Sequence, residues 1–245
     1  MLGVIAIFKG QKVTAILLAA GSGSRMKLNI NKVYHTHKTQ NIPLLYYPLA
    51  ALEKNDYVDE IILVIRRDDS EEVKKVVNRG RFPKKPVKIV IGGEKRYDSV
   101  YNGILKAAGD IVLIHDGARP LLKQRFITDC IEAMDTYPGS VVGIENVDQI
   151  YYLADENGCA ISKLQGTVYR IQTPQCFHTR VIKECHKKVL DKRNVADDSI
   201  LLELCGHKFK IVPGDESNIK ITHAKDVVAA ESFILSDEEI FNLYA

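Results

Sequence analysis

Short apolar runs alternate with longer amphipathic stretches over the part of the chain before residue 146. Continuous apolar runs are typical of strands buried on both faces of a parallel sheet, whereas the longer stretches repeat their apolar positions at helical spacing. Strands and helices that alternate with right-handed crossovers form an α/β fold with a doubly wound, mostly parallel sheet. The pattern predicts strands at residues 13–18, 60–65, 87–91, 111–115 and 140–144, and helices at 44–52, 70–78, 97–108 and 124–134.

The alternation changes after residue 146. Two segments with strand character, 149–153 and 161–169, flank the turn signal Asn157-Gly158 and predict a β-hairpin. A hairpin inserted into an α/β domain is expected to project from it as an arm, at about residues 146–170. The α/β pattern then resumes, with predicted helices at 180–190 and 198–205, a strand at 208–212 and a last helix from about residue 224.

The length of the chain fits one domain. A chain of 245 residues can bury a complete core without division, and we expect a single domain over residues 13–236. Residues 1–12 are expected to be an N-terminal leader. Their apolar run is too short to cross a membrane and lacks the features of a signal peptide, which predicts a cytoplasmic location and no membrane partner.

Composition argues against several classes of function. The 34 basic and 31 acidic residues leave a net charge of +3, and tryptophan is absent, so neither the basic surface nor the stacking platform of a nucleic-acid binder is evident. The five cysteines include no Cys-X-X-Cys pair, which favours reduced thiols over a zinc site or a disulfide framework. Nucleic acid is therefore not an expected partner.

The candidate chemistry begins directly after the first strand, where residues 17–26 read Leu-Leu-Ala-Ala-Gly-Ser-Gly-Ser-Arg-Met. Ligands of doubly wound sheets bind at the carboxyl ends of the strands, and small residues let backbone N–H groups approach phosphate oxygens. Arg25 and the later Lys32 supply cations for such a phosphate. A phosphate site is the favoured interpretation, with a simple tight turn as the alternative.

Two other glycine-rich motifs fit this segment less well. A dinucleotide fingerprint would need a third small residue where Met26 stands, and an acidic residue about 20 positions further on. A Walker phosphate loop would need Gly-Lys followed by Ser or Thr, which is absent here. A dinucleotide-dependent oxidoreductase is therefore the last of the hypotheses considered.

The opening segment, together with Lys32, resembles the signature of the 2-C-methyl-D-erythritol 4-phosphate cytidylyltransferases and of the related ribitol 5-phosphate cytidylyltransferases. Four further segments match in the order that this family has them, and the resemblance extends over about residues 13–235. These segments are Gly-Gly-Glu-Lys-Arg-Tyr-Asp-Ser-Val at 92–100, Ile-His-Asp-Gly-Ala-Arg-Pro at 114–120, Thr-Pro-Gln-Cys-Phe at 173–177 and Asn-Ile-Lys-Ile-Thr at 218–222.

The resemblance implies a Rossmann-like nucleotidyltransferase that moves CMP from CTP to a small polyol phosphate. It implies that Arg25 and Lys32 stabilise charge on the α-phosphate and on the leaving pyrophosphate, that Lys220 holds the acceptor phosphate, and that Asp116 anchors Mg²⁺. A phosphate monoester is already a nucleophile, so placement and charge neutralisation suffice for this chemistry. The implied nucleotide-binding residues are Ala19, Ala20, Gly21, Gly23, Gly93, Ser99, Gly117 and Ala118.

The acceptor side departs from the family pattern. Gln165 stands where the family usually has arginine, and Gln149 and Ala196 stand where it has threonine. Asn31 and Val33 flank the lysine where proline and glutamine are usual. The first hypothesis is a cytidylyltransferase whose acceptor is methylerythritol phosphate, and the second is one whose acceptor is ribitol 5-phosphate or another polyol phosphate. The third hypothesis is a catalytically inactive nucleotide-binding regulatory module. The resemblance also implies a homodimer formed through the arm, in which a partner subunit could complete the acceptor site.

Overall fold

The computed structural model describes residues 8–21, 31–36, 41–79, 85–148, 150–153, 160–163, 166–191, 195–237 and 240. Within these residues the chain forms nine strands, numbered here in chain order. They are β1 (Val13–Leu18), β2 (Glu60–Ile65), β3 (Val87–Ile91), β4 (Ile111–Asp116), β5 (Gly139–Glu145), β6 (Tyr151–Leu153), β7 (Ala160–Lys163), β8 (Tyr169–His178) and β9 (Lys210–Pro213).

Seven α-helices connect or flank these strands in the described part of the chain. The predicted helices are all present, with ends that shift by a few residues. The helices are α1 (Tyr46–Lys54), α2 (Ser70–Arg79), α3 (Arg96–Ile104), α4 (Gln124–Glu132), α5 (Thr179–Lys188), α6 (Asp198–Leu204) and α7 (Ala224–Ser236).

Seven of the strands form one sheet in the order β3-β2-β1-β4-β8-β5-β9. Strands β1 to β4 are parallel to one another, and β9 is parallel to β5. Strand β8 runs antiparallel to both of its neighbours, β4 and β5. The prediction of an α/β fold with a mostly parallel sheet is confirmed.

Alternate residues of β1 enter two separate hydrophobic clusters, one on each face of the sheet. Val13, Ala15 and Leu17 pack into a cluster that includes buried residues of α1, α2, α4 and α7. Ile16 enters the other cluster, with residues of α3, α5 and α6. Burial on both faces explains why every residue of β2 and β4 is buried and why these strands are predominantly apolar in the sequence.

Strand β8 corrects the prediction for this part of the chain. The sequence pattern assigns Tyr169 to the hairpin and predicts no strand after it, whereas the structure has a ten-residue strand from Tyr169 to His178 at the middle of the sheet. Pro174 lacks an N–H and is unusual in a central strand. It is tolerated because the pairing of β5 with β8 is interrupted there, between the pairs Val141–Gln175 and Gly143–Ile171.

Strands β6 and β7 pair antiparallel in a separate two-stranded sheet, as the hairpin prediction requires. The predicted turn residues 155–158 lie outside the described residues, and projection of this pair as an arm stays a prediction. Within the segment predicted as a leader, Phe8 is buried and packs edge-on against Tyr57. None of the helices in the described ranges is long and apolar enough to cross a membrane.

Candidate active site

A cleft with a volume of about 620 Å³ lies at the carboxyl ends of β1, β2, β3 and β4. In a doubly wound sheet these ends carry the ligand site, because the loops that leave them separate to either face. Ala20 and Gly21 line the cleft after β1, Gly93 and Ser99 after β3, and Asp116 at the end of β4. Lys32 and Lys220 reach the same cleft from elsewhere in the chain.

The chain after β1 is held against β2. The Ala19 N–H donates to the carbonyl of Val64 (2.7 Å), which keeps Ala19 buried while Ala20 and Gly21 face the cleft. The predicted site residues Gly23 and Arg25 lie outside the described residues. The structure therefore places the beginning of the glycine-rich segment at the cleft.

Gly92 and Gly93 bring the β3 loop close to the β1 loop. The Gly92 N–H donates to Ile65 O (2.8 Å) and the Gly93 N–H to Ser99 Oγ (3.1 Å). A Cβ on Gly92 would lie 2.5 Å from that of Ala20, so a larger residue would push the two loops apart. Gly92 is required for this close approach, since no side chain can shift away from a Cβ–Cβ contact of that length.

Asp116 lies between two cations at the end of β4. Lys220 Nζ is 2.6 Å from Oδ2, and Arg96 Nε is 3.3 Å from Oδ1. Burial raises the pKa of Asp116, but Arg96 and Lys220 lower it by more, and the net pKa lies well below the usual value for aspartate. Asp116 is therefore a carboxylate at neutral pH.

A chain of hydrogen bonds fixes the backbone beneath Asp116. The Asp116 N–H donates to Thr173 Oγ1 (3.1 Å), and this hydroxyl is 3.0 Å from His115 Nδ1. His115 Nε2 is 3.0 Å from the carbonyl of Arg119, which can only accept, so Nε2 carries the proton and Nδ1 accepts from Thr173. Burial lowers the pKa of His115 to about 4, so His115 is neutral and serves as a structural link.

The last two matching segments meet through Asn218. The buried side-chain amide of Asn218 donates to Thr173 O (2.9 Å) and to Gln172 Oε1 (3.1 Å), and the backbone carbonyl of Asn218 accepts from Arg119 Nη1 (2.6 Å). These bonds place Lys220, two residues later, within reach of Asp116. The segments at 114–120, 173–177 and 218–222 therefore form one structural unit, although they are distant in sequence.

Lys32 joins this unit to the chain that follows β1. Its Nζ donates to the carbonyl of Ile221 (2.6 Å), whose own N–H donates to Ala118 O (2.8 Å). Gly117 packs against the end of β1. Its N–H donates to Leu18 O (2.8 Å), and a Cβ on Gly117 would lie 2.8 Å from the same oxygen. Ala118 lines the cleft.

The predicted acceptor positions are only partly described. Gln149 and Gln165 lie outside the described residues. Ala196 is exposed and directly precedes Asp197, whose carboxylate caps α6 by accepting from Ser199 N (2.9 Å) and Ile200 N (3.4 Å). The structure thus places Ala196 at the start of α6.

Several residues in the cleft or next to it are not predicted from the sequence. Asp198, fully buried at the start of α6, accepts from Arg96 Nη1 (2.8 Å) and so ties this helix to the cleft. Arg66 and Arg67 line the cleft after β2, and Asn31 lies beside Lys32. The sequence carries little signal for them, because an arginine after a strand or an asparagine in a loop is common in exposed positions.

Comparison with known proteins agrees with this geometry. Residues 13–237 match the family model described as 2-C-methyl-D-erythritol 4-phosphate cytidylyltransferase. The chain belongs to this family. A relative from Caldanaerobacter subterraneus subsp. tengcongensis, named 2-C-methyl-D-erythritol 4-phosphate cytidylyltransferase, is 39% identical over 91% of this chain and 98% of its own length. A relative of the same name from Clostridium beijerinckii is also 39% identical, with the same coverage of both chains.

A solved structure of a member of this cytidylyltransferase family has the same fold as this chain. The 4-diphosphocytidyl-2C-methyl-D-erythritol synthase from Anaerococcus prevotii DSM 20548 superposes with a TM-score of 0.81 at 28% identity. The match covers 93% of this chain and 97% of that chain. Membership of the family confirms the resemblance drawn from the five sequence segments.

Proposed function

We propose that the chain transfers CMP from CTP to 2-C-methyl-D-erythritol 4-phosphate and releases pyrophosphate, a step of isoprenoid precursor synthesis. The observation that carries the proposal is the convergence of the family segments on one cleft. Residues of four segments line it, among them Lys32, Ser99, Asp116 and Lys220, and Thr173 of the remaining segment supports Asp116. The relatives named for this activity match nearly the whole chain.

The reaction needs placement and charge neutralisation. An oxygen of the acceptor phosphate attacks the α-phosphorus of CTP, and the bond from that phosphorus to the bridging oxygen of the β-phosphate breaks. Pyrophosphate leaves with the electron pair of that bond. We assign Lys32, together with Arg25, to the charge that develops on the α-phosphate and the leaving group, and Lys220 to the acceptor phosphate. Loss of one such donor typically costs about 10²–10³ in rate.

We assign Mg²⁺ to Asp116. Mg²⁺ commonly binds through one or two carboxylates together with substrate phosphates and water, so a single ionised carboxylate in a triphosphate cleft fits the ion. No group of three or more His, Cys, Asp or Glu side chains in the described ranges is placed to hold a metal. We therefore expect the ion to bind with CTP, where it would neutralise phosphate charge.

Removal of the metal tests this assignment. Turnover should be lost in excess EDTA and restored by MgCl₂. Asp116→Asn should raise the Mg²⁺ concentration needed for half-maximal rate, because the neutral amide replaces the carboxylate. Full turnover in EDTA would refute the metal requirement.

The acceptor site and the assembly are further parts of the proposal. We assign Gln149, Gln165 and Ala196 to the acceptor side, and propose a homodimer in which β6 and β7 pack on the partner subunit and complete that side. The cysteine content and the nucleotide substrate support a cytoplasmic location. A neutral glutamine in place of a bidentate cation predicts weaker acceptor binding than an arginine would give.

Pyrophosphate release with CTP and a panel of acceptor phosphates tests the function. Methylerythritol phosphate should give the highest kcat/KM, with CTP preferred over the other nucleoside triphosphates. Faster turnover of ribitol 5-phosphate would show that ribitol 5-phosphate, and not methylerythritol phosphate, is the acceptor. Binding of CTP without turnover of any acceptor would indicate a regulatory module.

A further inference from the structure

Asn31 makes a set of contacts that the catalytic assignments leave unexplained. Its side chain is buried, and its amide donates to Ala19 O (2.7 Å) and to Asp69 Oδ2 (3.0 Å). Its amide oxygen accepts from Val33 N (3.4 Å). Both ends of the amide are therefore used, which fixes the orientation of the side chain.

The Asn31 contacts extend to β2 through a buried carboxylate. Asp69 lies at the end of a short 3₁₀ helix that follows β2, and its Oδ1 is 3.2 Å from Arg66 Nη2. Ala19 directly follows β1. The chain Ala19–Asn31–Asp69–Arg66 thus ties the residue before Lys32 to the carboxyl ends of two adjacent strands.

We infer that Asn31 is a positioning residue for Lys32, an inference that rests on the role of Lys32 in the proposed function. Asn31 caps the 3₁₀ turn Lys32–Tyr34 and therefore sets the direction in which the Lys32 side chain leaves the backbone. From there Lys32 Nζ crosses to the carbonyl of Ile221. A flexible lysine can hold its ammonium in one place only if its backbone is fixed, and a displacement of about 1 Å in a catalytic group can cost about 10²-fold in rate.

The backbone of Asn31 suggests how the positioning works. Its φ is −62°, within the range that the ring of proline imposes. The side-chain hydrogen bonds of Asn31 to neighbouring segments hold this φ angle, and the ring of a proline would hold the same angle covalently. Asn31→Ala removes the side-chain bonds and leaves the φ angle unrestrained, whereas Asn31→Pro removes the same bonds but keeps the φ angle through its ring.

Asn55 is a matched control at the opposite end of the sheet. It too is buried, its amide donates to Gln124 Oε1 (2.9 Å), and its Oδ1 accepts from Tyr57 N (3.1 Å), again two residues along the chain. It follows α1 and precedes β2, at the amino ends of the parallel strands. Asn31→Ala and Asn55→Ala therefore remove similar sets of side-chain bonds, which are buried at Asn31 and partly buried at Asn55, and only Asn31 is near the cleft.

The experiment measures kcat and KM for CTP together with the melting temperature. Both alanine variants should lower the melting temperature by a similar amount. Asn31→Ala should also lower kcat by about 10- to 100-fold with a smaller change in KM, while Asn55→Ala keeps the wild-type kcat. Asn31→Pro should have a higher kcat than Asn31→Ala. If Asn31→Ala does not fold, the kcat of Asn31→Pro is compared with that of Asn55→Ala instead.

A double-mutant cycle separates positioning from a general effect on the fold. If Asn31 acts through Lys32, Asn31→Ala should cost little in a chain that already carries Lys32→Ala. An equal loss in both backgrounds, or a wild-type kcat for Asn31→Ala, would overturn the inference. Wild-type turnover of Lys32→Ala alone would instead contradict the proposed function, so the two failures are distinguishable.

Discussion

At the scale of single residues, the cleft is organised by charge pairs that are only partly exposed. Asp116 contacts Lys220 and Arg96, and Arg96 also contacts the fully buried Asp198. Burial raises the pKa of Asp198 above its usual value, and Arg96 opposes that shift. The arginine therefore serves two carboxylates at once, which fixes α6 relative to the end of β4.

Lys85 gives a pH test at a site remote from the cleft. It is buried, its ammonium donates to Leu52 O (3.1 Å) and Asn55 O, and burial lowers its pKa from 10.5 to about 8. Between these two values the unfolded chain binds more protons than the folded chain, so the Lys85 contribution to the free energy of unfolding rises with pH from about 8 to about 10.5.

Urea unfolding between pH 7.5 and 10.5 checks the Lys85 prediction. The difference in free energy of unfolding between the wild type and Lys85→Met should change in favour of the wild type as the pH rises, because methionine does not titrate. A difference independent of pH would show that burial does not perturb this lysine.

Much of the candidate site follows from the residue types in the matching sequence segments. These segments predict Asp116, Lys220 and Lys32 as site residues, and each of them reaches the cleft. Their mutual contacts are not predictable from the sequence, since the Lys220–Asp116 and Lys32–Ile221 bonds join residues far apart in the chain. Asn31 stands out in the sequence only as a departure from the family pattern, because its role depends on the buried Asp69.

At the scale of elements, apolar periodicity locates the strands of the parallel half well. Strands β1, β2 and β3 have the predicted bounds. Strands β1 and β2 are buried on both faces and therefore have continuous apolar sequences, whereas β3 lies at the edge of the sheet and is partly exposed. Strand β8 escapes prediction because its residues Gln172, Thr173 and Gln175 are polar but buried. The hydrogen bonds of Gln172 and Thr173 to the 215–218 segment and to His115 explain how a polar strand is accommodated at the centre of the sheet.

The packing of α6 against the sheet depends on Gly139 at the start of β5. A Cβ there would lie 2.5 Å from Leu202 Cδ2 and 2.9 Å from Phe177 Cδ1, both fully buried. Gly139→Ala should therefore lower the free energy of unfolding by about 1–3 kcal/mol through overpacking. Gly21→Ala, where no atom of the described residues lies within 4 Å of the ideal Cβ, is the matched control in urea unfolding. Equal stability of the two variants would contradict this packing.

At the scale of the whole molecule, the proposed dimer can be tested at the small β6–β7 sheet, which is separate from the main sheet. The wild-type chain should sediment as a dimer in analytical ultracentrifugation. A variant with residues 151–163 replaced by a short glycine–serine linker should sediment as a folded monomer with reduced turnover, because the acceptor side would lose its partner. A monomeric wild type with full activity would contradict the proposed dimer.

The proposed reaction has one nucleotide product, and phosphorus NMR identifies it directly. With CTP, Mg²⁺ and methylerythritol phosphate, the acceptor monoester resonance should disappear while two mutually coupled diphosphate resonances and pyrophosphate appear in equal molar amounts. These signals would establish a bond between the acceptor oxygen and the α-phosphorus. An unchanged monoester resonance, or formation of CMP and pyrophosphate without the coupled pair, would contradict cytidylyl transfer to this acceptor.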